Sequence, residues 1–430
     1  MLEPATRVRR IGAAIARLRP DTTPLRISRD YRLLYASSAI SLLGSMVTAV
    51  AAPYQVKVLT ESPLAVGLIG IVELLPTVVF GLLGGAIADV HDRRRVLVLT
   101  ELGALLCSAV LMANALLPSP NLLVVYLAAA GAATAAALHR PSAEAMLARL
   151  IPAEHQAAAA SLLGLQGTFG QIVGPALGGV LAVLNLPLAY GVDVATFVVS
   201  VALLSRLHPM RAAAEGARVR LGDIAEGIRY AVSRRDLLGT YLIDIAAMTF
   251  AMPQALFPFL ADRLGTPQGL GLLYSAGAVG SALVTLTGGW MPHVRRHGRM
   301  IVLAAAAWGL AIAAAGVAPG YWAVVVCFAI AGAFDMISGV FRGAIWNSTI
   351  PDALRGRLAG IELLSYTTGP TLGNARAGLM AGVLGIRPAI ALGGVLCVGA
   401  VGVTALALPA LWRGRTDPGG ANAPATEGAA

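Results

Sequence analysis

The chain has a single lysine among its 430 residues, and this scarcity excludes one energy source. A phosphate-binding loop of the G-x-x-x-x-G-K-[ST] type places its lysine between a glycine and a hydroxyl residue. Lys57 instead lies between Val56 and Val58. We therefore expect no ATP hydrolysis by that mechanism, and an ion gradient is the energy source that remains.

Residue patterns typical of enzymes and metal proteins are missing as well. The three cysteines, Cys107, Cys327 and Cys397, all lie in apolar stretches, where a free cysteine serves as a small packing residue. The six histidines form no H-x-x-H pair, and the chain contains neither a G-x-S-x-G nor an H-E-x-x-H motif. We expect no enzymatic activity, no cofactor and no metal site.

Charge is scarce too. Charged residues make up 13% of the chain and hydrophobic residues 57%, which is more apolar side chain than a soluble protein of this length can bury. The solvent is therefore a bilayer, which a helix of about 20 apolar residues can cross. The sequence predicts twelve such spans, at residues 33–56, 65–88, 96–117, 122–143, 157–184, 188–204, 237–260, 270–291, 300–317, 321–345, 358–383 and 388–411.

The net charge of +10 raises the question of nucleic-acid binding. With the N-terminus in the cytoplasm, the loops on the opposite side hold only Lys57, Arg263 and Arg387, and Arg376 lies within a span. All other basic residues fall on the cytoplasmic side, as the positive-inside rule requires. The pattern predicts a multi-pass protein of the cell membrane with both termini in the cytoplasm, and nucleic-acid binding is not needed to explain the charge.

The two halves of the chain repeat one another. Gly84 and Gly85, followed by Arg95, recur as Gly288 and Gly289, followed by Arg299. Duplicated hydrophobic halves are typical of secondary transporters, which bind substrate between two bundles. The sequence thus predicts an all-α integral membrane protein with twelve transmembrane helices in two pseudo-symmetric six-helix bundles. A second matching set is Gly170, Gly174 and Gly179 in the first half and Gly369, Gly373 and Gly378 in the second.

A polar stretch after the sixth span separates the halves, and its residues 221–232 carry apolar side chains at helical spacing. This period predicts an amphipathic helix on the cytoplasmic surface. We predict a basic cytoplasmic arm at residues 1–32, a first bundle at 33–205, a cytoplasmic linker at 206–235, a second bundle at 236–412 and a disordered tail at 413–430.

The end of the second span resembles the loop signature of the major facilitator superfamily, G-x-L-A-D-x-x-x-R-R. Gly85, Asp89, Arg93, Arg94 and Arg95 carry this resemblance. It implies a charge cluster that latches the two bundles together on the cytoplasmic side. The alternative is that the arginines serve only as a positive-inside stop.

Departures from the signature limit what the resemblance implies. Val90 replaces the usual basic residue and Asp92 the usual glycine. In the second half, His293 stands at the position of Asp89, so we expect a second latch to be weaker or absent.

The fifth span resembles the antiporter motif of exporters in the same superfamily, G-x-x-x-G-P-x-x-G-G, although Ser161 stands where its leading glycine would be. Small residues at this spacing permit close helix approach, and the proline removes one backbone hydrogen bond. The motif is therefore compatible with a directional role in export or with a purely structural packing role. Its residues are Gly170, Gly174, Pro175, Gly178 and Gly179.

Most of the chain is similar to the drug and siderophore exporters of this superfamily, of the enterobactin-exporter type. The segments at residues 51–56, 60–68, 114–118, 227–230 and 260–274 carry that similarity together with the two motifs. The resemblance implies efflux of a siderophore or a drug-like molecule.

Ionisable residues inside spans are costly, and they face a cavity or a partner. We expect a central cavity lined by such residues, or alternatively buried acids with structural hydrogen bonds. Glu101 and Asp193 lie near enough to the span ends that we expect them to be solvated. The candidates for substrate binding and proton coupling are Glu73, Asp244, Asp335, Arg342, Glu362 and Arg376.

Our hypothesis is that Asp335, or failing that Glu73 or Glu362, carries the proton exchanged for substrate, because a carboxyl in a dry cavity can load a proton from one side and release it on the other. Asp335 and Arg342 are seven residues apart and share a helix face. Arg376 either binds an anionic or catecholate ligand or pairs locally.

These observations predict a monomeric, proton-coupled exporter of a small amphipathic molecule, such as a siderophore or a drug-like natural product. Its partners are that molecule, protons or another coupling ion, and the lipid bilayer. Uptake or facilitated transport of a nutrient or lipid is the alternative within transport. A membrane receptor or scaffold that transports nothing is the alternative from another class.

Overall fold

The computed structural model describes residues 20–210, 229–230, 233–350, 352–409 and 412. Within these ranges, the side chains of residues 82–83, 85–86, 88–90, 148, 235–236 and 352–366 are not described. The predicted amphipathic helix at 221–232, except for residues 229–230, the tail at 413–430 and most of the arm at 1–32 lie outside the described residues.

Twelve long helices and no strands make up the described part of the chain, which confirms the predicted all-α fold class. By their described residues, eleven of them are long and apolar enough to cross a membrane. The twelve long helices are α1 (Arg29–Thr60), α2 (Pro63–Val90), α3 (Arg93–Leu116), α4 (Leu122–Leu150), α5 (Gln156–Leu184), α6 (Leu186–Leu204), α7 (Arg235–Ala251), α8 (Leu270–Thr287), α9 (His297–Val317), α10 (Tyr321–Thr349), α11 (Asp352–Leu384) and α12 (Ile386–Ala407).

Short polar side chains begin several of these helices. The Ser62 hydroxyl accepts a hydrogen bond from the Ala65 amide at the start of α2, and Asn185 caps α6 in the same way. The carboxylate of Asp92 accepts the amides of Arg94 and Arg95, so this residue, unexpected in the loop signature, begins α3. Such caps satisfy amides that have no partner within the helix.

Two predicted spans are not continuous helices. The seventh, predicted at 237–260, is interrupted after Ala251 and continues as the short helix Phe257–Arg263. Pro253 lies in this interruption, where it cannot donate a backbone hydrogen bond and restricts the residue before it. The eighth, predicted at 270–291, changes after Thr287 to a 3₁₀ helix over Gly288–His293. By contrast, Pro370 lies inside the continuous helix α11.

Helix contacts repeat between the halves of the chain. Helix α1 packs against α5 and α6, α2 against α4, and α3 against α4 and α6. In the same pattern, α7 packs against α11 and α12, α8 against α10, and α9 against α10 and α12. The duplication seen in the sequence is therefore a duplication of packing.

The two halves meet through α2 against α11 and α5 against α8. At these contacts backbones touch, because Gly179 faces Gly271 and Gly378 faces the carbonyl of Pro63, with no room for a Cβ atom. Both contacts lie near the end of the molecule where α1 ends and α2 begins, which we call the Lys57 end. The opposite end, where α3 begins, is the Arg93 end.

The antiporter-like motif accounts for this arrangement. Gly170, Gly174 and Gly178 face Leu42, Met46 and Val47 of α1, whereas Gly179 faces α8. Helix α5 thus packs closely against its own half on one face and against the other half on another. These contacts support the packing role of the motif, and its directional role stays a prediction.

The glycine contact between the halves can be tested by adding one methyl group. We expect Gly179→Ala to push α5 away from Gly271 and to lower stability by about 1–3 kcal/mol, the usual cost of overpacking. Gly164→Ala is the matched control, since nothing lies within 4 Å of a Cβ at that position of the same helix. Thermal unfolding of the purified protein in detergent measures both. Equal midpoints for the two variants would contradict the close contact.

Candidate functional site

The central charged group of the second half joins α7 and α10. Asp244 and Arg342 form an ion pair whose side chains are only 2% and 4% exposed. Asp335, two turns before Arg342, places its Oδ1 atom 4.0 Å from the Nη2 atom of Arg342 and is 42% exposed. One guanidinium therefore serves two carboxylates, one fully buried and one open to its surroundings.

A pocket lies beside this triad. The aromatic ring of Trp308 and the flexible side chain of Met248 give it an apolar wall next to the carboxylate of Asp335. The empty volume of the pocket, about 230 Å³, is below the usual range of ligand pockets, so it can hold only part of a drug-sized molecule. The lining residues are Ile243, Asp244, Ala247, Met248, Ala305, Trp308, Asp335 and Ser338.

A second contact between α7 and α10 holds the triad in place. The indole Nε1 of Trp346 donates to the Thr240 hydroxyl at 2.8 Å, and Tyr241 stacks on the Trp346 ring. Thr240 lies one turn before Asp244, and Trp346 lies one turn after Arg342. The ion pair is therefore flanked by a buried hydrogen bond that fixes the register of the two helices.

The other predicted candidates lie apart from this triad. Arg376 donates through Nε to the Thr249 carbonyl at 3.0 Å and through Nη1 to the Met380 sulfur at 2.9 Å, which is local pairing within the second half. Glu73 is partly buried on α2, one turn after Gly70, which contacts Thr371 of α11. The side chain of Glu362 is not among the described ones.

At the Arg93 end, two of the signature arginines donate hydrogen bonds within their own half. The guanidinium of Arg93 donates to the Ala145 carbonyl at 3.0 Å, and that of Arg94 donates to the Ser205 carbonyl. These bonds tie α3 to α4 and to the end of α6. The side chains of Gly85 and Asp89 are not described, so the latch between the halves stays a prediction.

At the Lys57 end, an ion pair crosses between the halves. The ammonium of Lys57 contacts the Asp262 carboxylate and lies 5.6 Å from the centre of the Tyr54 ring. Nearby, the amide of Ala255 donates to the Asn374 side chain at 3.0 Å. The ion pair and the glycine contacts close the two halves against each other at this end, while the bond from Ala255 to Asn374 lies within the second half.

The expectation that Glu101 and Asp193 are solvated is wrong. Their exposed fractions are 4% and 1%, because both side chains point into the first half, among α1, α3 and α6. His139 lies inside α4 and places its Nδ1 atom 3.9 Å from Glu101. The distance of Glu101 and Asp193 from the span ends did not predict their burial. The seven-residue spacing of Glu101 with Ser108, which places both on one helix face, is visible in the sequence.

The comparison with known proteins decides the family, since residues 21–418 match the transmembrane secretion effector family. The chain belongs to this family of major facilitator transporters. The enterobactin exporter EntS of Escherichia coli strain HS is 30% identical over 365 residues, which cover 81% of this chain and 84% of that protein. The EntS protein of Shigella boydii serotype 18 is 30% identical over 364 residues, with the same coverage. This multi-pass membrane protein is therefore a transporter and not an enzyme.

Two solved transporter structures have the same fold as this chain. A bacterial homologue of the lysosomal transporter Spinster in an inward-facing conformation aligns with a TM-score of 0.69 at 16% identity, over 91% of this chain and 100% of that one. A bacterial homologue of the iron transporter ferroportin in an inward-facing state gives 0.66 at 17% identity, over 90% and 99%. The major facilitator architecture predicted from the sequence is thus confirmed.

The ion pair at the Lys57 end can be tested by charge exchange. We expect Lys57→Asp and Asp262→Lys each to open this end, since each places like charges together, and the double variant to restore the closed form. A partly exposed pair contributes about 0.2–1 kcal/mol, so the ratio of closed to open molecules should change by up to about fivefold. Distances between spin labels on the two halves report that ratio. Failure of the double variant to recover would show that the pair does not hold this end closed.

The buried pair of Asp244 and Arg342 gives a second prediction in this transporter. Asp244→Asn leaves the buried guanidinium without its nearest counter-charge, and we expect stability to fall by about 3–5 kcal/mol. Combining Asp244→Leu with Arg342→Met removes both charges and should restore most of that loss. Thermal unfolding in detergent compares the two. A double variant as unstable as the single one would mean that packing, and not charge, is what the pair contributes.

Proposed function

We propose that the protein is a proton-coupled exporter of small amphipathic molecules of the siderophore type. The observation that supports this most directly is the triad of Asp244, Arg342 and Asp335. The negative charge of Asp244 is enough to neutralise the positive charge of Arg342. The half-exposed carboxyl of Asp335 can therefore gain or lose a proton next to the pocket. A group of this kind is what coupling of transport to a proton gradient requires.

The mechanism follows from the closed Lys57 end. In this conformation substrate reaches the pocket from the Arg93 end, which the distribution of basic residues assigns to the cytoplasm together with both termini. Protonation of Asp335 removes its charge from the side of Arg342 and changes the relative stability of the two conformations. Transport is then a cycle of populations in which substrate favours one state and the proton the other.

The substrate class rests on the pocket and on the relatives. Trp308 and Met248 offer an aromatic face and an adaptable thioether, which suit a flat aromatic ligand. The two EntS relatives are enterobactin exporters, and export of a catecholate by this chain is part of the proposal.

Transport in liposomes tests the coupling. We expect the purified protein to drive accumulation of enterobactin when a pH gradient is imposed, and Asp335→Asn to lose this accumulation because Asn carries no exchangeable proton. Exchange of enterobactin at equal concentration and equal pH should persist in the variant, since it needs no net proton movement. Glu144→Gln is the matched control, because its carboxylate is 65% exposed and its ion-pair partner among the described residues is Arg140 on the same helix.

Two outcomes would contradict the proposal. Full accumulation by Asp335→Asn would remove this residue from coupling. Absence of both accumulation and exchange in the wild-type protein would exclude enterobactin as substrate. In cells grown under iron limitation, deletion of the gene should lower secretion of catecholates, and unchanged secretion would exclude the siderophore class.

A further inference from the structure

The interior of the first half contains two polar layers built from the same three helices. In each layer α1 supplies a hydroxyl, and α3 and α6 supply one hydroxyl and one carboxyl between them. Positions in the two layers are seven residues apart on all three helices, which is about 10 Å along the axis. The Glu101 layer contains Ser41, Glu101 and Ser200, and the Asp193 layer contains Thr48, Ser108 and Asp193.

Each carboxyl has hydroxyl neighbours and one oxygen atom without a hydrogen-bond partner among the described residues, which we call its bare oxygen. The Oδ2 atom of Asp193 accepts from Thr48 and Ser108, both at 2.6 Å, while Oδ1 has no hydrogen-bond partner among the described residues. The hydroxyls of Ser41 and Ser200 lie beside the carboxyl of Glu101, and its Oε2 atom is likewise without a partner there. Both bare oxygens belong to side chains more than nine-tenths buried.

Positive charge near these carboxyls is scarce in the described part of the chain. From α4, the Nδ1 atom of His139 lies 3.9 Å from Glu101 and 3.0 Å from the Thr100 hydroxyl. From α6, Tyr190 lies one turn before Asp193 and donates to Gln55. The groups that face the layers from α1 are hydroxyls. Asp193 thus has no described counterpart to the arginine that balances Asp244.

An ionised carboxylate in such a place costs several kcal/mol unless a cation pairs with it. A proton on the bare oxygen removes that cost. We propose that Glu101 and Asp193 form a second proton-binding site, inside the first half and separate from the triad, with His139 as its entrance from the Arg93 end. His139 suits this role because its side chain is 22% exposed and also reaches Glu101.

The arrangement selects a proton over a metal cation. Hard cations need several oxygen ligands that converge on one point. Here the two carboxyls lie in different layers, two helical turns apart, and the described residues contain no group of three or more acidic, histidine or cysteine side chains that could hold a metal ion. A proton needs one oxygen and no converging set.

Helix α1 connects this site to the contact between the halves. Ser41, Gly44 and Thr48 face the layers, with Gly44 against the bare oxygen of Asp193. Other residues of α1, Leu42 and Met46, pack on the glycines of α5, which in turn meets α8. A change of charge in the layers therefore acts on the helix that carries Lys57 to the closed end.

Infrared difference spectroscopy of the full-length protein in lipid tests the proposal without any substrate. We expect the carbonyl band of protonated carboxylic acids to decrease as pH is raised, and Asp193→Asn and Glu101→Gln each to remove part of that change. Glu144→Gln is the matched control and should leave the band as in the wild type. His139→Gln should leave the band but slow the exchange of its proton in heavy water.

A variant that keeps both carboxyls is needed in case Asp193→Asn or Glu101→Gln fails to fold. Thr48→Val keeps both carboxyls but removes one hydrogen bond to Asp193, so the band should shift in frequency and not disappear. A band unchanged in Asp193→Asn, Glu101→Gln and Thr48→Val would overturn the proposal. So would loss of the band on adding sodium chloride but not choline chloride, which would identify a sodium site.

This site does not rest on the proposed export of a siderophore. Asp335→Asn should abolish accumulation of enterobactin and yet keep the bands of Glu101 and Asp193. If the wild-type protein moves no enterobactin, the infrared experiment still decides whether the two carboxyls bind protons.

Discussion

A charge buried in the interior of a membrane protein requires a partner, and this constraint organises the functional features of the chain. In the second half, the buried carboxylate of Asp244 pairs with Arg342 and leaves Asp335 to respond to its surroundings. In the first half, Glu101 and Asp193 have hydroxyl partners in place of a described arginine. The same fold therefore satisfies buried acids in two ways, by ion pairing and by hydrogen bonds that leave room for a proton.

The close contact between the two halves at the Lys57 end is the part of the structure that a change in these charge states can affect. The pairing of Gly179 with Gly271, and of Gly378 with Pro63, brings backbones together without intervening side chains. Dispersion forces in such a contact are strong and fall off steeply with distance, so the contact is either made or lost. Lys57 and Asp262 add an ion pair at the same end. The closed end is thus a two-state element, which a modest change of free energy elsewhere can open.

The sequence was sufficient for the fold and for part of the site. Apolar runs gave twelve helices, the repeated glycines gave the duplication, and the spacing of Asp335 and Arg342 placed both on one face. Three features were beyond it. The break at Pro253 does not follow from the proline alone, since Pro370 lies inside a continuous helix. Asp244 meets Arg342 only through the register of α7 and α10, and Asp193 is buried because of the direction of its side chain and not because of its depth in the span. Pairing between helices distant in sequence is a tertiary property that one-dimensional spacing does not encode.

Divergence of the duplicated halves follows from the same constraint. The contacts among helices are repeated between the halves, but the chemistry is not, because α10 contributes Arg342 whereas α4, its counterpart, contributes His139 near Glu101. An arginine remains charged under all physiological conditions, so it holds its partner acid ionised. A histidine can accept a proton at one ring nitrogen and release it again, so it can pass a proton to an acid that it does not hold. Arg342 in one half and His139 in the other thus give two halves with the same helix packing a different chemistry toward protons.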